Sequence, residues 1–262
     1  MIPKHNYRLY DYKLFLKLIR GNFRDNSANF VRTGNPTDET KERLKRRAKS
    51  KVLEYALCNE WQYFYTQTIS SNRDRFDKEN INKIRKTLNN ASIKYLLCVD
   101  RHKDGALHLH GLLMNVPNNK LTDSGIKAFN KHTKRKQPIY NLKPTEKYGF
   151  NSLFEITTND IEQRVKIAYY VSNYITKDNN SEFKQRYFVS QGLKTKEEIY
   201  LSDKYLRDYI ANTGLIPDYK NEYTDIFILP PEELKYISEE ELIKDQIIKK
   251  AIAIFGDIVN VI

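Results

Sequence analysis

Cysteine is scarce in this chain. Cys58 and Cys98 are the only two in 262 residues and form no Cys-x-x-Cys pair, which excludes a cysteine-built zinc site and fits a reducing cytoplasm. No apolar run approaches the ~18 residues that a membrane span needs, so no membrane role is expected. Met1 to Leu18 mixes Lys, Arg and Asp among its apolar residues and does not read as a secretory signal. The phosphate loop Gly-x-x-x-x-Gly-Lys-Ser/Thr is missing, and with it any recognisable helicase motor. There is no internal repeat and no segment of low complexity.

Positive charge and aromatic side chains are abundant. Lys and Arg number 45 against 33 Asp and Glu, for a net +12, and 12% of residues are aromatic within a hydrophobic share of 40%. That composition excludes a mainly disordered chain and is enough to bury a core. The charge is unevenly spread. Lys41 to Lys51 holds seven basic residues and one acid, whereas Leu215 to Asp245 holds nine acids and three lysines. With a net +1 beyond Asp245, the part before Leu215 carries +17, so a polyanion, nucleic acid first, is the expected partner of the main body. The 41–51 run reads equally as a solvated helix face or as a direct DNA contact.

Residues 1–55 read as a basic, mostly helical extension. Trp61 to Ile69 is rich in β-favouring residues and reads as a strand. Ile81, Ile84 and Leu88 recur at helical spacing within Asp77 to Asn90. Ile93 to Asp100 and Leu107 to Met114 read as two strands around a Lys103-Asp104-Gly105 turn. A loop-rich stretch follows to about Leu153. A helix capped by Asn159 or Asp160 runs to about Thr176, and Arg186 to Val189 reads as a last strand. From residue 201 to 262 a short helix and an acid-rich tail form a helical C-terminal extension, in which Ile247, Ile248, Ala251, Ile252 and Phe255 make an apolar stripe suited to core packing or to another subunit. The order indicates an α+β fold, with a central antiparallel sheet flanked by helices within residues 56–200.

The run Leu107-His-Leu-His-Gly-Leu-Leu-Met114 holds the first chemical signal. On a strand, His108 and His110 point to one face and Leu107, Leu109 and Leu113 to the other. A three-residue turn with Gly105 in the left-handed conformation pairs His102 with Ala106, Asp100 with His108 and Cys98 with His110. Asp100, His108 and His110 then converge, while Tyr95, Leu97 and Val99 join the core side. A two-residue turn would send Asp100 to the wrong face. His102 falls nearer the loop and is read as a surface or supporting residue. An isolated His-x-His is more often a pair of half-buried strand residues. The acid across the turn shifts the reading toward a divalent metal, and a ligand set with open positions suits Mg2+ or Mn2+ holding a phosphate.

Downstream, Tyr170, Tyr174 and Lys177 fall on one helical stripe, beside an apolar stripe of Ala168, Val171 and Ile175. With 19 tyrosines in the chain, such a stripe alone would be packing. Over a metal face, a tyrosine can be a nucleophile toward a phosphoryl group. Tyr169 points away and reads as structural.

His108-Leu109-His110, the aromatic-Thr strand Tyr63 to Ile69 and the helix Tyr170-Val-Ser-Asn-Tyr-Ile-Thr-Lys177 together resemble the HUH endonuclease superfamily, and more closely the rolling-circle replication initiators of small phages and bacterial plasmids. Arg186 to Lys194 resembles the stretch that follows in such proteins. The resemblance covers Trp61 to Lys194. It implies a ferredoxin-like sheet of the RNA-recognition-motif kind, a metal held by His108, His110 and Asp100, and nicking of single-stranded DNA at a replication origin in a bacterial cytoplasm. It also implies Tyr174 as nucleophile, Lys177 as its supporting cation and Tyr170 as a second tyrosine, although Asn173 stands where such helices often carry lysine. Arg101, Lys103, Arg186 and Lys194 are expected to bind DNA, and a host helicase and DNA polymerase are implied partners. A conjugative relaxase or HUH transposase, a non-catalytic nucleic-acid-binding module and a metal-dependent hydrolase using water are the alternatives.

Overall fold

The computed structural model describes residues 6–12, 16–21, 38–70, 78–101, 106–130, 135–156, 161–176, 186–199, 201, 203–220 and 224–230. In chain order the elements begin with β1 (Asn6–Asp11), β2 (Leu16–Gly21), α1 (Asp38–Cys58), β3 (Tyr63–Thr68), α2 (Glu79–Asn90), β4 (Lys94–Arg101) and β5 (Leu107–Met114). They continue with β6 (Leu121–Asn130), β7 (Arg135–Leu142), the single turn α3 (Lys143–Glu146), β8 (Asn151–Glu155) and α4 (Ile161–Asn173). The last are β9 (Tyr187–Val189), β10 (Glu197–Ile199), α5 (Asp203–Thr213), β11 (Tyr219–Lys220) and β12 (Thr224–Leu229). A 3-10 turn, Tyr174–Thr176, continues α4. The fold is α+β, with two antiparallel sheets and five helices among the described residues. No described helix is long and apolar enough to cross a membrane.

The chain divides into two compact units, residues 34–195 and residues 1–33 with 196–262. The larger unit is built on a seven-stranded sheet in the order β6-β7-β8-β3-β5-β4-β9. β4 and β5 lie near its middle because both faces of each carry side chains that must leave water. Every residue from Tyr95 to Asp100 is buried. On one face Tyr95, Leu97, Val99, Leu109 and Leu113 pack against Ile81, Ile84 and Leu88 of α2, the apolar stripe that the sequence spacing predicts. On the other face α1 packs against α4, and α4 against β5. Ala56, Trp61, Leu112 and Ile167 meet around a small gap there, and Ala168, Val171 and Ile175 are buried as one stripe.

The β4–β5 register is the one that the Gly turn requires: Asp100 opposes His108, Cys98 opposes His110 and Leu97 opposes Gly111. The turn at 102–105 lies outside the described residues. Gly111 is needed for packing. A Cβ there would run into the Leu96 carbonyl oxygen and lie 2.8 Å from Leu97 Cδ2.

Three expectations need correction. The mostly helical lead-in is two strands, β1 and β2, before α1. Leu9, Leu16 and Leu18 fit either period in so short a window, and the choice is made by pairing of β2 with β12 from the far end of the chain. The smaller unit is therefore a five-stranded sheet, β10-β1-β2-β12-β11, with Leu206 of α5 packed among Leu9, Leu16, Leu18, Phe227 and Leu229. The C-terminal extension is likewise not only helical, since β11 and β12 follow the expected helix α5. The loop-rich stretch before Leu153 contains β6, β7 and β8, whose polar, largely exposed residues give no apolar alternation to read. The stripe from Ile247 to Phe255 lies outside the described residues.

Gly111→Ala is expected to destabilise the protein by about 1–3 kcal/mol through overpacking against strand backbone. Urea unfolding with a lower midpoint and an unchanged denaturant slope would bear this out, and an unchanged midpoint would contradict it.

Candidate active site

The face of the sheet that meets α1 and α4 gathers a cluster of polar and aromatic side chains. Alternation along β3 sets Phe64, Thr66 and Thr68 on this face, opposite Leu112, His110 and His108. β4 adds Cys98 and Asp100 from the other side of β5. His108 and His110 stack with ring centroids 4.5 Å apart and planes 10° from parallel. Thr66 Oγ1 lies 3.3 Å from His110 Nδ1, and Asp100 Oδ2 lies 3.8 Å from His110 Nε2. A strand on each flank thus faces one nitrogen of His110. Asp100 is itself buried, and its Oδ1 accepts a hydrogen bond of 2.9 Å from the Arg101 backbone N–H.

The tyrosines come from above. Tyr174 begins the 3-10 turn that ends α4, is only 4% exposed, and stacks on His110 with centroids 4.1 Å apart and planes 16° from parallel. Its hydroxyl donates a 2.6 Å hydrogen bond to the Tyr170 hydroxyl oxygen one turn earlier. Tyr170 is 53% exposed and packs its ring on Phe64 at 5.5 Å. Burial, then the hydrogen bond with Tyr170 and the nearby Asp100 carboxylate, push the Tyr174 phenol above its ordinary value. Burial also raises the Cys98 thiol, so this sulfur beside the histidines stays protonated and unreactive.

The structure brings Asp100, His108, His110, Tyr170 and Tyr174 together. It does not bring all the expected cations. Arg101 pairs with Leu107, whose side chain belongs to the core on the other face of the sheet. The Arg186 guanidinium donates a 2.9 Å hydrogen bond to the carbonyl of Ile175, the residue after Tyr174. This contact holds the turn and gives Arg186 a positioning part that the sequence does not signal. Lys194 is exposed, and its backbone is pinned at both N–H and C=O by the Asn59 side chain. Lys103 and Lys177 lie outside the described residues. Thr66 and Phe64 are visible in the sequence only as part of an aromatic-Thr strand. Their contacts with His110 and Tyr170 depend on a strand pairing that the sequence does not encode locally.

Among the described residues, no group of three or more His, Cys, Asp or Glu side chains closes on a point that could hold a metal ion. The two imidazoles lie nearly parallel, so a shared ion would require them to turn toward Asp100. The donor types and their common face nevertheless fit a divalent ion. Two nitrogen ligands and one carboxylate are available, and Thr66 stands at the ring nitrogen of His110 that would orient the imidazole.

Residues 62–179 match the family model of the replication-associated protein ORF2. The matched part spans β3 through the tyrosine turn and holds all five clustered residues. This likeness supports a role in DNA replication with DNA as the molecule handled. No curated protein and no solved structure matched the chain.

Because its pKa is raised, Tyr174 is expected to keep its proton at about pH 11, where an exposed phenol with a pKa of ~10 has largely ionised. In the folded protein, the phenolate absorbance of Tyr174→Phe should equal that of the parent at that pH. Loss of one full phenolate in the variant would contradict the assignment.

Proposed function

We propose that the chain nicks and rejoins single-stranded DNA at a replication origin, by the chemistry of HUH endonucleases, with Tyr174 as its nucleophile. The observation that carries this reading is the 4.1 Å stacking of Tyr174 on His110, beside the face shared with His108 and Asp100. A phenol lodged against an imidazole pair and a carboxylate is an unusual arrangement for simple packing, and the match to a replication-associated family lies over the same strands and helix.

In this reading Asp100, His108 and His110 hold Mg2+ or Mn2+. When bound, the divalent ion supplies Lewis-acid stabilisation of charge on the scissile phosphate. The Tyr174 oxygen forms a bond to phosphorus as the bond from phosphorus to the 3′ oxygen breaks. The departing oxygen takes up a proton and becomes a free 3′-OH that a polymerase can extend. The proton leaving Tyr174 has a path through the hydrogen bond to the exposed Tyr170 hydroxyl. The product is a 5′-phosphotyrosine ester. It conserves the phosphodiester, so attack by a 3′-OH reverses the step and joins the strand. Arg186 keeps the turn that carries Tyr174 in place through the Ile175 carbonyl. Lys177 offsets negative charge near Tyr174, and host helicase and polymerase act on the opened strand.

A second reading exchanges the tyrosines, and it is favoured by exposure: Tyr170 is 53% exposed and Tyr174 only 4%. In that case Tyr170 meets the first phosphate and Tyr174 is its hydrogen-bonding support.

The test is incubation with a randomised, labelled single-strand pool and Mn2+, followed by denaturing electrophoresis and mass spectrometry of the adduct. The expected result is a chelator-sensitive covalent band mapped to Tyr174 and reduced about 100-fold or more in Tyr174→Phe. An adduct mapped to Tyr170 selects the second reading. No adduct with the parent protein, or an undiminished one in the double Phe variant, overturns the proposal.

A further inference from the structure

The β6–β7 ribbon carries features that the active site does not use. β8 pairs with β7 only at Ile139 and Tyr140, whereas β6 and β7 stay paired out to Asn130 and Arg135. Two strands therefore run on together past the sheet. At ~3.4 Å per residue, Ile126 to Asn130 alone extends about 17 Å. Between Asp123 and Lys127 the register shifts in a bulge. It is pinned by the Gly125 N–H donating to the Asp123 carboxylate at 2.9 Å, and by the Ser124 hydroxyl donating to the Ile139 carbonyl at 2.6 Å. Gly125 has φ +73°, a left-handed conformation suited to glycine. Such bulges bend and twist a ribbon and re-aim what lies beyond them.

The chemistry of the distal part is one-sided. From Lys127 to Lys136 the sequence is rich in Lys and Arg and holds no acid. Cross-strand partners share a face, so Lys127, Phe129 and Lys136 lie on one face of the ribbon and Arg135, opposite Asn130, on the other. Lys127, Arg135 and Lys136 are exposed. Lysines on an edge strand often serve only to prevent aggregation, and Pro138 can do the same. That explanation leaves out Phe129 and Ile126, which are 57% and 52% exposed. An aggregation guard would not place large apolar side chains in water between the cations.

We propose that the β6–β7 ribbon is a duplex-DNA-binding arm that enters the major groove. The groove is about 12 Å wide and admits a two-stranded ribbon. Cations on both ribbon faces meet the phosphates of both groove walls, whereas a single strand would require only one charged face. Phe129 and Ile126 supply apolar contact to base edges, such as thymine methyl groups. The arm gives the chain a hold on double-stranded DNA that is separate from the tyrosine site, and it stands whether or not that site nicks.

The test uses the full chain with a fluorescent mixed-sequence duplex and the matching single strand, read by anisotropy across a salt series. In the combined variant Lys127→Gln, Arg135→Gln, Lys136→Gln, duplex affinity is expected to fall about tenfold or more, and the slope of log affinity against log salt to shrink by about 2–3. Phe129→Ala should weaken duplex binding several-fold with the slope unchanged. Single-strand binding and covalent adduct formation on the single-strand pool should be those of the parent. Unchanged duplex affinity in both variants overturns the proposal, as does an equal loss on the single strand. A parent protein that forms no adduct yet binds duplex through these residues removes the nicking reading alone.

Discussion

The antiparallel pairing of β4 with β5 is the constraint on which the site depends. Asp100 opposite His108 and Cys98 opposite His110 put two imidazoles and a carboxylate on one face. A slip of one residue would turn Asp100 to the other face and bring Leu97 and Val99 out of the core. Burial of Tyr95, Leu97, Val99, Leu109 and Leu113 against α2 thus enforces the same register as the polar cluster. Gly111 belongs to this constraint, because only a residue without a Cβ lets Leu97 fill the space opposite it. Core and site are two sides of one strand pairing.

The second requirement is a lid of defined height. The apolar stripe Ala168, Val171 and Ile175 fixes α4 on the sheet, and the chain then tightens into a 3-10 turn at Tyr174. The Arg186 hydrogen bond to the Ile175 carbonyl closes that turn. Tyr174 is held flat on His110 as a result, with its hydroxyl tied to Tyr170. Burial that positions the phenol also disfavours its ionised form. Positive charge brought by a metal ion would act against that bias, which gives a physical reason for chemistry that starts only when DNA and metal are both present.

Period-two and period-3.6 patterns are legible wherever one face is apolar and the partner is close in sequence. The spacing places the His strand at its observed limits, and α2, β4 and the tyrosine helix within a few residues of theirs. The Asp100–His108 pairing is readable because a Gly turn ties turn length to register. Other features are not readable. β1 and β2 owe their state to β12, a partner at the other end of the chain. β6 and β7 are exposed and basic, so no apolar alternation marks them. Arg186 looks like any surface cation in sequence, and only the fold brings it to the Ile175 carbonyl. The polar anchors Asn151 and Thr145, which tie the Leu142 corner between β7 and β8, are hidden for the same reason.

The central claim is that one strand register creates a metal-binding pair of histidines beneath a tyrosine. Pulsed electron paramagnetic resonance of the Mn2+-loaded protein tests it most directly, because imidazole nitrogens bound to Mn2+ give their own couplings. The account predicts two such nitrogens in the parent and one in each of His108→Ala and His110→Ala. Bound Mn2+ without nitrogen coupling, or couplings untouched by both substitutions, would contradict it.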